Sequence, residues 1–424
     1  MEVLHYKNGV LHCENVDLRE IAKVFDTPCY LYSLGSIEQN FSNFEQALSG
    51  IPHLICFAVK ANNNLSILRH LAQMGAGADV VSGGELYKAQ RAGIATHKIV
   101  YSGVGKTISE IRYALQSGIL MFNIESEAEL NVIQNEAEKL NLRPKISIRV
   151  NPDVDPKTHP YIATGLRKNK FGIAMEKAIP LYLQTSKLPQ LEISGIACHI
   201  GSQITSLEPF ADAFDIIHEA IQELEKHHIS LQFIDLGGGL GIRYSDEIPP
   251  TPSSYAELIR QKFAHLNKTI ILEPGRAIIG DTGFLLTKII YIKENHGKRF
   301  YIVDAAMNDL IRPSLYQAYH EIIPIREPVN QTNHPVDVVG PICESGDYLA
   351  RDRLLPELHQ GDLLLIQNCG AYGFSMASNY NARARAAEVL ISHNDYRLIR
   401  KRETLESLIE NEIGLDNSGA GKNL

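Results

Sequence analysis

Eight short apolar, β-branched runs alternate with segments of helical period between residues 54 and 276, and apolar runs without long helical intervals follow. Together they predict an α/β fold: a (β/α)8 TIM barrel joined to an antiparallel β domain. The strand candidates are LICFAVK (54–60), AGADVVS (76–82), KIVYSGV (98–104), LMFNIE (120–125), KISIRVN (145–151), GIACHIG (195–201), LQFIDLG (231–237) and TIILEPG (269–275). Between them lie helical stretches such as NLSILRHLAQMG, GGELYKAQRAG, ISEIRYALQSG, EAELNVIQNEAEKLN and PFADAFDIIHEAIQELEKHH. Several close with the glycine or asparagine expected just past a helix end. After about residue 277, FLLTKIIYIKENHGKRFYIVDA, HPVDVVGPIC and GDLLLIQNCGAY read as strands with nearby turns. The N-terminal EVLHYKNGVLHC, with KNG as a hairpin turn, joins them. The expected division is a barrel over 30–276 and a discontinuous β domain from 1–29 and 277–424, ending in a loose tail, DNSGAGKNL.

At 424 residues the chain is long enough for two cores. Hydrophobic residues at 44% and charged residues at 21% exclude global disorder and a membrane bundle. The net charge of −8 and a pI near 6.1 supply no basic field, so nucleic acid is not an expected partner. The N-terminus carries acids early and lacks a continuous apolar stretch with a cleavage site, so secretion is not expected, and no run approaches the ~18 apolar residues of a membrane span. The expectation is a cytoplasmic protein. Cys13, Cys29, Cys56, Cys198, Cys343 and Cys369 form no CxxC pair and no cluster with histidine, so neither a metal site nor a disulfide framework is expected.

Chemistry in such a barrel gathers where strands end, and the unusual residues fall there. Lys60 ends the first run, where a partly desolvated amine can form a Schiff base with an aldehyde; taken alone, it reads sooner as a lysine leaving the sheet for solvent. Asp79 lies in the second run. Gly237, Gly238 and Gly239 follow the seventh, the usual phosphate position of this fold, and Arg276 past the eighth could add charge to the same anion. A simple turn is the alternative. Glu273 ends TIILEPGR ahead of Pro274 and Gly275, where a buried carboxylate needs a cationic partner: a protonated pyridine nitrogen, or an arginine in a structural pair. His199 in CHIGSQ is placed to cover a ring or donate a proton, with Ser202 close by for a phosphate oxygen. In the β domain, CESGD brings out Cys343 and Glu344 at a strand end, a thiol that could donate a proton or be an inert core cysteine. Tyr372 sits between glycines in GAYGFS, and Arg312 and Tyr316 in DLIRPSLY offer a carboxylate fork and a phenol.

Read together, these residues resemble the pyridoxal-phosphate-dependent diaminopimelate decarboxylases, a branch of the alanine-racemase-like class. FAVKANNN, GADVVSGGEL, NPDVDPKTHPYIATGLRKNKFGI, HIGSQI, DLGGGLGI, EPGRAIIGDTG, DAAMNDLIRPSLY, CESGDYLARDR and GAYGFSMASNYN stand in the family's order over nearly the whole chain. The resemblance implies that pyridoxal 5′-phosphate is held by Lys60, its phosphate by Gly237 to Gly239, Ser202 and Arg276, and its ring by His199 and Glu273. It further implies that Asp79, Pro274, Gly275 and Tyr372 adjoin the cofactor. By the same resemblance Arg276, Arg312, Tyr316, Glu344 and Tyr372 contact substrate, and Cys343 donates the proton. Cys343 and Glu344 would come from the partner subunit of an obligate homodimer.

The implied reaction is decarboxylation of meso-2,6-diaminopimelate to L-lysine and carbon dioxide, the last step of lysine biosynthesis. Its distal end carries both a carboxylate and an ammonium, which Arg312 and Glu344 can read. A substrate lacking that carboxylate would leave a buried arginine unpaired, at about 1–3 kcal/mol. One departure is visible: NYNARARAAEVLI lacks the proline that relatives commonly have between Arg383 and Arg385. Two other readings are a decarboxylase of another amino acid on the same fold and a non-catalytic cofactor carrier. Retention of Lys60, Cys343 and Glu344 together argues against the carrier. The loop 151–168 is the candidate for closing over substrate, by its length and prolines.

Overall fold

The eight apolar runs form eight parallel strands: β1 His53–Ala58, β2 Gly77–Val80, β3 Ile99–Tyr101, β4 Met121–Ile124, β5 Lys145–Asn151, β6 Glu192–Ala197, β7 Phe233–Asp235 and β8 Thr269–Leu272. The structure is a computed structural model and describes residues 3–413 apart from 163, 166–168 and 329–331, so the tail 416–424 and part of the 151–168 loop lie outside the described residues. Each strand pairs with the next, and β8 returns to β1 with Ile270 opposite His53, closing the barrel. Helices cover the outside while side chains fill the inside. Residues in β2, β3 and β4 are therefore buried on both faces, which explains why these runs do not alternate with polar residues.

The helices start and stop where local chemistry dictates. Ser82, Thr107 and Ser126 accept hydrogen bonds from the backbone N–H three residues on, each satisfying one unpaired donor of a first turn. Gly93, Gly118 and Asn141 end the same helices with φ of 93°, 63° and 52°. After β8 the chain makes only the short helix Arg276–Ile279 before leaving the barrel. The place beside the helix Pro252–Phe263 is taken by Leu34–Ala47, which precedes β1 and buries Ile37, Phe41 and Phe44.

The β domain is built on the thirteen-residue strand Gly283–Asn295. It pairs antiparallel with Lys298–Val303, Leu363–Ile366 and Cys29–Ser33. Two pairings are parallel: Lys298–Val303 with Asn333–Val339, and Cys29–Ser33 with Ala387–Ser392. The expected division at residue 30 falls inside the strand Cys29–Ser33, because backbone pairing on both sides carries the β layer to Ser33 and helix begins at Leu34. The N-terminal hairpin pairs Lys7 with Val10 across Asn8 and Gly9, both at positive φ (52° and 74°), as a tight primed turn requires. It covers a second apolar core around Leu11, Leu18, Leu31, Phe284 and Val389.

The β domain seats one loop, residues 369–373, on the barrel. The Tyr372 N–H donates to the Ala61 carbonyl at 2.8 Å and Asn62 Nδ2 donates to the Gly370 carbonyl at 3.2 Å. Gly370 lies so close to the Ile279 carbonyl that a Cβ would stand 1.8 Å from it, so only glycine allows this approach.

Candidate active site

A single turn of 3-10 helix after β1, Val59–Ala61, turns Lys60 toward β2, where its Nζ meets the Asp79 carboxylate. Burial opposes a charged amine, but Asp79, Tyr372 and Glu273 outweigh it and raise the Lys60 pKa. Asp79 is fully buried, and its second oxygen has no hydrogen-bond partner among the described residues.

Deeper in the barrel, Asn123 from β4 extends its amide toward Asp235 (2.9 Å) at the end of β7 and Glu273 (3.3 Å) just past β8. Ser102 Oγ also donates to Glu273 at 3.3 Å. Burial, then the neighbouring carboxylates, pushes Glu273 well above the usual range, and burial pushes Asp235 up to about 6. Asp79, Asp235 and Glu273 thus form a buried acidic group near one amine, Lys60. A cationic ligand would relieve that imbalance.

The opposite side of the site has the opposite sign. Arg276 opens the short helix Arg276–Ile279 and donates to Tyr244 Oη at 2.6 Å and Ser202 Oγ at 3.1 Å, while its Nε has no partner among the described residues. Its guanidinium lies over the Tyr372 ring, 5.0 Å from the centroid. Tyr372 has φ of 57°, a left-handed conformation that is uncommon for a non-glycine residue. Arg312 is buried with its Nη1 2.9 Å from His320 Nε2. Among the described residues, neither arginine has a carboxylate partner, so both are free to hold anions.

Lys60, His199, Ser202, Arg276, Arg312, Tyr316 and Tyr372 line one cavity of about 400 Å³. A larger groove of about 980 Å³ runs along the β domain past Arg326 and His359 and carries none of the residues singled out in the sequence. His199 is held by the glycine loop: the Gly238 N–H donates to its Nδ1 at 3.1 Å, which leaves the proton on Nε2. Burial, then the Arg149 and Lys60 charges, pushes its pKa down, so the ring is neutral. A Cβ on Gly238 would stand 2.3 Å from the Glu273 carbonyl, so no side chain fits between the ends of β7 and β8. The Gly237 N–H is bonded to Asp235 Oδ1 at 3.0 Å. Two of the three amides are therefore used internally, and the Gly239 N–H, with no partner among the described residues, remains for an anion.

Cys343 and Glu344 are not among the residues lining this cavity. Both are exposed on the β domain, where the Cys343 N–H donates to Asn381 Oδ1 (3.0 Å) and Glu344 accepts from Tyr380 Oη (2.9 Å). Sequence reasoning missed Tyr244, His320, Asn123 and Asp235. Asp235 stands two residues before Gly237, so its position at a strand end was a usable signal; the other three carried none.

The barrel region, residues 34–280, matches the family model described as pyridoxal-dependent decarboxylase, pyridoxal binding domain. The chain is 50% identical to diaminopimelate decarboxylase of Pseudomonas fluorescens over 413 residues, covering 97% of this chain and 99% of the relative. The chain belongs to the diaminopimelate decarboxylase family. Solved structures agree. That of the Helicobacter pylori enzyme complexed with L-lysine superposes with a TM-score of 0.90 at 45% identity, covering 93% of this chain and 98% of that one. That of the M. jannaschii enzyme gives 0.92 at 39% identity, covering 97% and 98%.

Members of this family use pyridoxal 5′-phosphate, and the site suits it. An amine stands at a strand end, a buried acidic group lies where a protonated ring nitrogen would relieve it, and an arginine with an unpartnered Nε and no acid suits a phosphate. No helix among the described residues is long and apolar enough to cross a membrane.

Proposed function

We propose that this chain decarboxylates meso-2,6-diaminopimelate to L-lysine and carbon dioxide, the terminal step of lysine biosynthesis, in the cytoplasm. The observation that carries this reading is the pair of buried arginines on the Lys60 cavity, Arg276 and Arg312, neither matched by an acid among the described residues. One suits the cofactor phosphate. The other suits a carboxylate at the far end of the substrate, which simple amino acids with an apolar or amine terminus lack.

Lys60 holds the cofactor through Nζ. Ser202, Arg276 and the Gly239 amide take its phosphate, while Gly237 and Gly238 permit the close approach. His199 would cover the ring of the bound cofactor and Glu273 would pair with its nitrogen, with Asp79 and the Pro274–Gly275 turn adjoining it. Bound pyridoxal phosphate supplies the electron sink for the pair left when the carbon–carboxylate bond breaks. Arg312, Tyr316 and Tyr372 orient the distal end of the substrate, and Glu344 receives its ammonium. Carbon dioxide leaves with no proton, so the α carbon must gain one, and the Cys343 thiol donates it.

Cys343 and Glu344 are exposed and away from their own chain's cavity, which supports a homodimer in which each subunit completes its partner's site. Product analysis tests the reaction. Holoenzyme incubated with meso-2,6-diaminopimelate is expected to release L-lysine and carbon dioxide in equal amounts. Carbon dioxide without L-lysine would reject the assignment.

A further inference from the structure

His320 is fully buried just beyond the helix Arg312–Tyr316, and its carbonyl is fixed by Arg353 Nη1 at 2.8 Å. Its Nδ1 lies 2.8 Å from the Gln367 carbonyl, and its Nε2 lies 2.9 Å from Arg312 Nη1. A carbonyl only accepts and a guanidinium only donates, so one tautomer satisfies both contacts: the proton sits on Nδ1 and the Nε2 lone pair receives Arg312. Burial and the Arg312 charge push the ring's pKa down to about 3, so it is neutral. The Tyr244 ring packs edge-on to His320 with centroids 5.5 Å apart, and its face carries the Arg312 guanidinium at 4.7 Å.

The choice of residue has a chemical consequence. A carboxylate here would satisfy Arg312 and also neutralise it. A neutral imidazole takes one N–H, fixes the plane of the guanidinium and leaves its whole charge for a ligand in the cavity.

We propose that His320 is a specificity-determining positioning residue, holding an uncompensated Arg312 against the carboxylate that the substrate's distal end keeps through the reaction. This rests on the reading that Arg312 receives that carboxylate. Because the product retains it, L-lysine and 1,5-diaminopentane, which differ by that one group, report the interaction as inhibitors of the holoenzyme.

In His320→Asn the side chain is too short to reach Arg312. Loss of one charge-assisted hydrogen bond is expected to weaken inhibition by L-lysine roughly tenfold and to raise KM more than it lowers kcat, with inhibition by 1,5-diaminopentane unchanged. His320→Gln carries an acceptor near the Nε2 position and is expected to restore most of the L-lysine affinity. Arg312→Met is the control. If Arg312→Met weakens L-lysine while His320→Asn matches wild type, the proposal for His320 is overturned and the reading of Arg312 stands. If neither variant affects L-lysine, the reading of Arg312 itself fails. Equal weakening of both inhibitors in His320→Asn, or no recovery in His320→Gln, would reduce His320 to a packing residue and overturn the proposal.

Discussion

The Tyr244 hydroxyl accepts a hydrogen bond from Arg276 Nη1 at 2.6 Å. The same ring carries Arg312 on its face, so one phenol steadies the two cations that the site presents to anions. Tyr244→Phe keeps the ring and removes the acceptor. Cofactor affinity, measured by reconstitution of stripped enzyme, is expected to fall roughly tenfold, the value of one hydrogen bond to a charged group. Unchanged affinity would show that Arg276 needs no such support.

Lys60→Ala is expected to abolish the visible absorbance of the holoenzyme, with far-ultraviolet circular dichroism unchanged, because the amine faces the site cavity and not the packed apolar core. An unaltered spectrum would remove Lys60 as the attachment point.

Cys343→Ala is expected to lower turnover at least about 100-fold while cofactor stays bound, as loss of a general acid does. Mixing it with Lys60→Ala chains is expected to recover about a quarter of wild-type activity, the fraction of intact shared sites when chains pair at random. No recovery despite confirmed heterodimers would end the shared-site proposal.

Asp235 gives a pH-dependent prediction for enzyme stripped of cofactor. Burial lifts its folded pKa to about 6, above the unfolded value, so the folded state binds more protons and stability falls as pH rises from about 4 to about 6. Asp235→Asn removes that dependence. Relative to wild type, the variant is expected to gain stability, by a margin that widens as pH rises through that window. A difference that stays flat with pH, followed by thermal unfolding, would show that Asp235 is ionised without cost.

The barrel was legible because its βα units announce themselves locally: an apolar run followed by a helix and, after β2, β3 and β4, a capping residue and a glycine or asparagine stop. Lys60, Glu273 and Arg276 were legible because they break apolar runs at strand ends. The strand Cys29–Ser33 was not, since its partners Gly283–Leu286 and Ala387–Ile391 lie more than 250 residues away and nothing local marks its layer. His320 and Tyr244 were hidden for a similar reason. Their importance lies in contacts with arginines brought close by folding, and a histidine or tyrosine in a polar stretch carries no sign of such a partner.

Substrate choice tests the central claim most directly. Initial rates of carbon dioxide release by the holoenzyme would be compared for meso-2,6-diaminopimelate, L-lysine, L-ornithine and L-arginine. The two uncompensated arginines predict rapid release from the first and none above background from the other three. Faster release from any of those three would leave the fold, the cofactor and Lys60 in place and contradict the assignment of Arg312 to a distal carboxylate.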